Sequence, residues 1–213
     1  MFRNFSVFTL VILQLLNWSN GKIFNAKPSP KDRALEMLKQ MNLTEKLIMM
    51  AGQEVGDYTG TIAGNERLGI PTILMQDGPQ GFRTHESVGG YGTTTQWPSA
   101  LTIAASWDVK LLNKWATAMG EEFRDKGANV ALGPGMGIAR VPTAGRNFEY
   151  LCGEDPSFCG PLVEAVVSGI QKTGVIANAK HFINNEIEND RQQVSSNVDE
   201  RTRFELYYPP FEA

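Results

Sequence analysis

The chain has 213 residues, 42% of them apolar and 20% charged, a composition that builds a packed core and excludes the disordered and collagenous classes. A formal net charge of -3, with no cluster of lysine or arginine, offers no basic field for a phosphate backbone and excludes nucleic acid as a partner. The length suits one ordinary domain but falls short of the roughly 250 residues of a complete eight-stranded α/β barrel.

At the start of the chain Arg3 precedes an apolar run from Phe5 to Leu16, and the polar, small-residue stretch Asn17-Trp18-Ser19-Asn20-Gly21 follows it. That order predicts a secretory signal peptide over residues 1–21, removed near Gly21, and a mature unit over 22–213. The run is shorter than the ~20 residues of a membrane-spanning helix, so an exported product with no membrane contact beyond the leader is expected. In an oxidising compartment the only two cysteines, Cys152 and Cys159, are close enough to staple one loop; the alternative is a pair of free buried thiols. Asn42-Leu43-Thr44 is a glycosylation sequon, although Thr44 also precedes a helical pattern and would serve as its cap.

Beyond the leader, helical patterns alternate with short apolar runs, with no repeat and no linker, which predicts one α/β unit. The first helix follows Pro28-Ser29-Pro30 and directs Leu35, Leu38 and Met41 toward a core; the second follows Thr44. Asp108 caps a third, with the stripe Leu112, Trp115, Ala116, Met119 and Phe123. Asp155-Pro156, a cap and an N1 proline, opens a fourth that buries Leu162, Val166, Gly169 and Ile170. Asp199 caps a fifth, stopped by Pro209-Pro210. Four apolar runs read as strands buried on both faces of a parallel sheet: Ile70 to Met75, Ala100 to Ala105, Asn129 to Leu132, and Val175 to Ala177.

Three of those runs end in polar or glycine-rich clusters: Gln76-Asp77-Gly78-Pro79, Gly133-Pro134-Gly135 and Asn178-Ala179-Lys180-His181. In an α/β barrel, as in an open doubly wound sheet, the site lies at such C-terminal strand ends. Asp77 and Arg83 could grip a polyol by accepting from and donating to its hydroxyls, or Asp77 could merely organise the Gly78-Pro79 turn. Arg146 and Glu149 could orient a ligand or pair with each other. Lys180-His181 is more informative, because two titratable side chains after an apolar strand are costly to bury unless something polar lies opposite. Both can face a ligand only where strand has become loop, since consecutive strand residues point to opposite faces.

Other chemistries are not supported. Gly133-Pro134-Gly135-Met136-Gly137-Ile138 misplaces the last glycine of a dinucleotide fingerprint, and Pro134 removes a backbone donor. His85 and His181 are the only histidines, no metal-type spacing occurs, and there is no serine elbow.

Taken together, Gly69-Ile70-Pro71, Gln76-Asp77-Gly78-Pro79-Gln80-Gly81-Phe82-Arg83, Gly145-Arg146-Asn147-Phe148-Glu149, Gly153-Glu154-Asp155-Pro156, Ala179-Lys180-His181-Phe182 and Asn197-Val198-Asp199-Glu200-Arg201 resemble, in that order, the N-terminal barrel domain of glycoside hydrolase family 3. The resemblance covers about residues 30 to 213. It implies a partial TIM (β/α)8 barrel, about the first half of that domain with four or five of its eight βα units. It also implies that Asp77, Arg83, Arg146, Lys180 and His181 line the subsite for a terminal non-reducing sugar.

The activity implied is that of a retaining exo-β-glycosidase releasing terminal β-D-glucosyl residues from a small β-glucoside or oligosaccharide, with two carboxylates and no cofactor. The chain departs from the family pattern in one respect: no tryptophan follows an aspartate, so no nucleophile is named, and both nucleophile and acid/base are expected beyond Ala213. The isolated polypeptide is therefore expected to fold poorly and not to turn over. Two other readings remain: a non-catalytic secreted sugar-binding protein with the same cup, and an unrelated barrel enzyme pairing Glu149 or Glu186 with Asp77.

Overall fold

A computed structural model describes residues 28–53, 56, 58–85 and 90–213. The expected leader, residues 1–21, lies outside them. The described chain falls into two compact units, one up to Leu47 and one from Ile48 to Ala213.

In the first unit, Ser29 caps α1 (Pro30–Gln40) by accepting from the Asp32 amide, with Pro30 in the first turn, where its missing N–H costs nothing. Leu35 and Leu38, expected to face a core, are each 46% exposed, while Met41 is buried. The cap of α2 (Leu43–Met50) is Asn42 and not Thr44. Asn42 Oδ1 accepts from the Glu45 amide at 2.9 Å and Glu45 Oε2 accepts from the Asn42 amide at 2.8 Å, a reciprocal capping box that Thr44, already inside the helix, is two residues too late to form.

The second unit is built on a four-stranded sheet in the order β1 (Gly60–Ile62), β2 (Ile73–Asp77), β3 (Val130–Leu132) and β4 (Ile176–Ala177). β2, β3 and β4 are parallel, with Met75 opposite Val130 and Val130 opposite Ile176; β1 runs antiparallel to β2 at the edge. Asn129 helps set the β2–β3 register with its side chain. Its Oδ1 accepts from the Leu74 amide at 2.7 Å and its Nδ2 donates to the Thr72 carbonyl at 2.8 Å, imitating one more residue of ladder.

Of the four runs expected as strands, three are strands. The run from Ala100 is α3 (Ala100–Ala104), a correction with a local cause: Ser99 Oγ accepts from the Thr102 amide and starts a helix, for which the alanines have high propensity. An unalternating apolar run of this length reads equally as a buried strand or a buried helical turn.

The core lies where α4 (Val109–Asp125) and α5 (Pro156–Gln171) pack on each other and on the sheet. Asp108 and Asp155 cap them as the sequence predicts, each accepting from two amides, and Leu112, Phe123, Leu162, Val166 and Ile170 are buried. The helices approach closely at Gly169, where a Cβ would lie 2.8 Å from both the Ala116 Cβ and the Asn113 carbonyl oxygen. Gly169→Ala is therefore expected to cost about 1–3 kcal/mol and to lower the melting temperature by roughly 3–8 °C, read by thermal unfolding; an unchanged Tm would contradict this packing.

Asp199 caps α6 (Glu200–Thr202), which widens over Arg203–Tyr207 and stops at Tyr208, before the prolines as expected; Pro209 then opens a further short helix, α7 (Pro209–Glu212). A proline is tolerated in a helix's first turn, and here it begins one.

Candidate functional site

The C-terminal ends of β2, β3 and β4 open onto one cleft of about 1150 Å³. All five residues singled out by the sequence line it: Asp77 and Arg83 from the segment after β2, Arg146 from the β3–α5 connection, and Lys180 and His181 after β4.

Asp77 is the acceptor at the centre. Lys180 Nζ lies 2.8 Å from its Oδ1 and an Arg83 terminal nitrogen 2.9 Å from its Oδ2, while the Gly78 amide donates to Oδ1 at 3.0 Å. Burial pushes the Asp77 carboxyl up, but the hydrogen bond and charge of Lys180, with Arg83 and the Gly78 amide, outweigh it and hold the group below the ordinary carboxylate range. Asp77 is thus ionised and presented to the cleft between two cations.

Lys180 and His181 both line the cleft: β4 ends at Ala177, and beyond it Lys180 makes an isolated parallel bridge to Gly135 rather than continuing the strand. Backbone bonds from the Lys180 amide to the Pro134 carbonyl, at 3.0 Å, and from the Met136 amide to the Lys180 carbonyl, at 2.8 Å, fix this stretch against the glycine-rich segment after β3. The segment Gly133 to Ile138 is therefore a wall support and not a phosphate cradle.

Arg146 is the second hub. It pairs closely with the buried Glu149, reaches Glu188 at 3.3 Å, and lies 3.3 Å from His181 Nε2. Glu188 is also paired with Arg191 at 3.2 Å. Arg146 thus does both things the sequence left open: it pairs with Glu149 and it faces the cleft.

Several lining and supporting residues escaped the sequence reading. Glu188 and Arg191 lie in a polar stretch without periodicity, and Tyr150 and Asn185 support His181 from behind, with Tyr150 Oη 3.0 Å from His181 Nδ1 and 2.9 Å from Asn185 Nδ2. Gln76 is fully buried beneath the site: its Oε1 accepts from the Thr59 amide and hydroxyl, and its Nε2 donates to the Arg83 carbonyl at 2.6 Å. The sequence placed Gln76 in a polar strand-end cluster; its burial, which makes its amide demand partners, is visible only in the structure. Glu186 does not pair with Asp77. It lines a separate small cavity with Tyr207, and burial pushes its carboxyl up against the opposing effects of Tyr207 and Arg140.

Cys152 and Cys159 are joined across the start of α5 with their Cα atoms 4.5 Å apart. Among the described residues no group of histidine, cysteine and carboxylate side chains could hold a metal ion, and no helix is long and apolar enough to cross a membrane.

His181 gives the site a pH dependence. Burial, with the positive charges of Arg146 and Lys180, lowers its pKa against the opposing charges of Glu149 and Asp77, so the ring is neutral at physiological pH. A histidine depressed in the folded state stays neutral while the unfolded chain takes up protons, so stability falls as pH drops below roughly 6.5 and levels off below the folded pKa. Asp77, also depressed, adds its own loss only as pH falls below about 3.9 and through its folded pKa. His181→Gln is expected to flatten the pH dependence of Tm just below about pH 6.5; a slope equal to the parent's would contradict the assignment.

Carboxylate acceptors, ammonium and guanidinium donors and an imidazole thus converge at the strand ends in one polar cleft. The chain belongs to the glycosyl hydrolase family 3 N terminal domain family, whose model matches residues 12–213. It is 41% identical over 177 residues to a β-glucosidase of Rhizobium radiobacter, covering 83% of this chain and 21% of that protein. It is 39% identical over 183 residues to the thermostable β-glucosidase B of Acetivibrio thermocellus, covering 83% of this chain and 24% of that one.

Among solved structures it superposes on β-glucosidase 3B of Thermotoga neapolitana in complex with glucose, with a TM-score of 0.75 and 37% identity over 83% of this chain and 27% of that one. The β-D-glucoside glucohydrolase of Trichoderma reesei gives a TM-score of 0.75 at 34% identity, over 87% of this chain and 26% of that one. The chain thus spans about a quarter of the length of these relatives, and its mixed α/β unit with an open four-stranded sheet matches their TIM-barrel-like domain.

Proposed function

We propose that this chain supplies the glucose-holding cup of a retaining exo-β-glucosidase. The observation that carries the reading is Asp77, ionised between Lys180 and Arg83 at the strand ends, facing Arg146 and His181 across the cleft. In that arrangement the carboxylate accepts from sugar hydroxyls while the cations donate to others, which fixes a terminal glucose in one orientation. The names of the relatives and the glucose bound in the Thermotoga neapolitana enzyme support the same reading.

The displacement itself needs one carboxylate free to attack the anomeric carbon and another to protonate the leaving oxygen. Asp77, Glu149 and Glu188 are each paired with a cation, so the reading assigns the displacement to carboxylates other than these. The protein expressed from its complete coding sequence should hydrolyse an aryl β-D-glucoside and lose that activity in Asp77→Ala. The polypeptide 1–213 alone should show none. Glucose binding without hydrolysis by the complete protein would replace the glucosidase with a non-catalytic sugar-binding protein, a role the cation-paired carboxylates would also suit.

We further infer export, supported by the leader-like residues 1–21 and by the Cys152–Cys159 bridge, with Asn42 exposed for glycosylation. N-terminal sequencing of protein from the culture medium should begin near residue 22; an intact Met1 would contradict it.

A further inference from the structure

His181 touches one group at each ring nitrogen, and the chemistry of those groups decides where its proton sits. Resting on the sugar-cup reading, we propose that Arg146 and Tyr150 lock His181 as the Nδ1–H tautomer, so that Nε2 meets the sugar as a hydrogen-bond acceptor, with Tyr150 as the positioning residue.

A guanidinium nitrogen is a donor only, so the Arg146 nitrogen 3.3 Å from Nε2 requires a lone pair there. A neutral imidazole with an unprotonated Nε2 carries its hydrogen on Nδ1, which lies 3.0 Å from the Tyr150 hydroxyl and donates to it. Asn185 Nδ2 donates to the same oxygen at 2.9 Å, so that oxygen serves as an acceptor twice. The ring is half-buried and lies among Arg146, Lys180, Glu149 and Asp77, with the two cations disfavouring its protonation, which keeps it in the neutral form the lock needs.

The consequence is a division of roles in the cup. Lys180, Arg83 and Arg146 are donors, leaving Asp77 and Nε2 as acceptors among the five residues. A sugar hydroxyl that donates to Nε2 replaces the long contact from Arg146 without requiring the ring to change tautomer. With the proton on Nε2, the cup would have donors in surplus and one acceptor fewer for a polyol whose every hydroxyl must also donate.

The test uses the protein expressed from its complete coding sequence with 15N-labelled histidine, studied without sugar at about pH 8, where a histidine with an ordinary or lowered pKa is neutral. Solid-state 15N NMR, with the His181 signals identified by their loss in His181→Gln, should place the proton on Nδ1. A proton on Nε2, or a tautomer mixture like that of free imidazole, overturns the proposal. In Tyr150→Phe the second tautomer should appear and glucose affinity should fall about five- to tenfold, the loss of roughly one hydrogen bond. An unchanged tautomer in that variant overturns the positioning role whatever happens to affinity, and if the variant does not fold the parent spectrum still decides the lock. Failure of the parent to bind glucose with the Nδ1–H lock intact refutes the sugar-cup reading and leaves the lock standing.

Discussion

Asp77→Ala is expected to weaken glucose binding by about ten- to a hundredfold, because it removes the carboxylate that accepts from the sugar, and a hydrogen bond to a charged group contributes about 1.5–3 kcal/mol. The change also leaves Lys180 and Arg83 facing each other across the space the carboxylate neutralised. Lys180 is the more affected, since its side chain is only 13% exposed while that of Arg83 is 60% exposed and can turn to solvent. Asp77→Asn separates the two effects. It keeps the size and an acceptor oxygen but not the charge, and should bind better than Ala yet worse than the parent. Calorimetric titration with glucose measures all three, and equal affinities for parent and Asp77→Ala would remove Asp77 from the site.

Gly78→Ala is expected to be at least as damaging, by a backbone route. Gly78 has φ of 130°, a conformation that side-chain-bearing residues avoid, and a Cβ there would lie 1.6 Å from the Gly81 carbonyl oxygen. The tight loop it closes is held by bonds from the Gly81 amide to the Gly78 carbonyl and from the Arg83 amide to the Asp77 carbonyl. No rotamer relieves a backbone collision, so the loop must reopen at a cost of about 3 kcal/mol or more, displacing Arg83 and freeing Asp77. The α4–α5 core lies elsewhere, so helical circular dichroism should persist while glucose binding disappears. A variant that binds as well as the parent would show that the loop geometry is not what orders the cup.

These two effects rest on residues that the sequence already marked, and the reason is local. Asp77 and Gly78 come within three residues of the end of one apolar run and Lys180-His181 within four of another, so strand-end placement alone brings them to one rim. The caps Asp108 and Asp155 were legible for the same reason, because a cap acts on the next two or three amides.

What was not legible depended on partners distant in the chain or on competing local choices. β1 is only Gly60–Ile62, too short to show alternation, and it exists because it pairs with β2. The run at Ala100 had the apolarity of a strand, and the Ser99 cap decided for helix. Glu188 belongs to the site only because Arg146, 42 residues earlier, reaches it, and Tyr150 matters through His181, 31 residues later. Periodicity reports which face a residue occupies and says nothing about which side chain lies opposite it.

The most direct test of the central claim is a crystal structure of the protein, expressed from its complete coding sequence, with glucose bound. A glucose ring in the cleft, with Asp77 accepting from its hydroxyls and Lys180, Arg146 and His181 within hydrogen-bond distance, is the predicted result. Glucose bound elsewhere, with the Asp77–Lys180 and Asp77–Arg83 pairs undisturbed and the cleft holding only water, would contradict it.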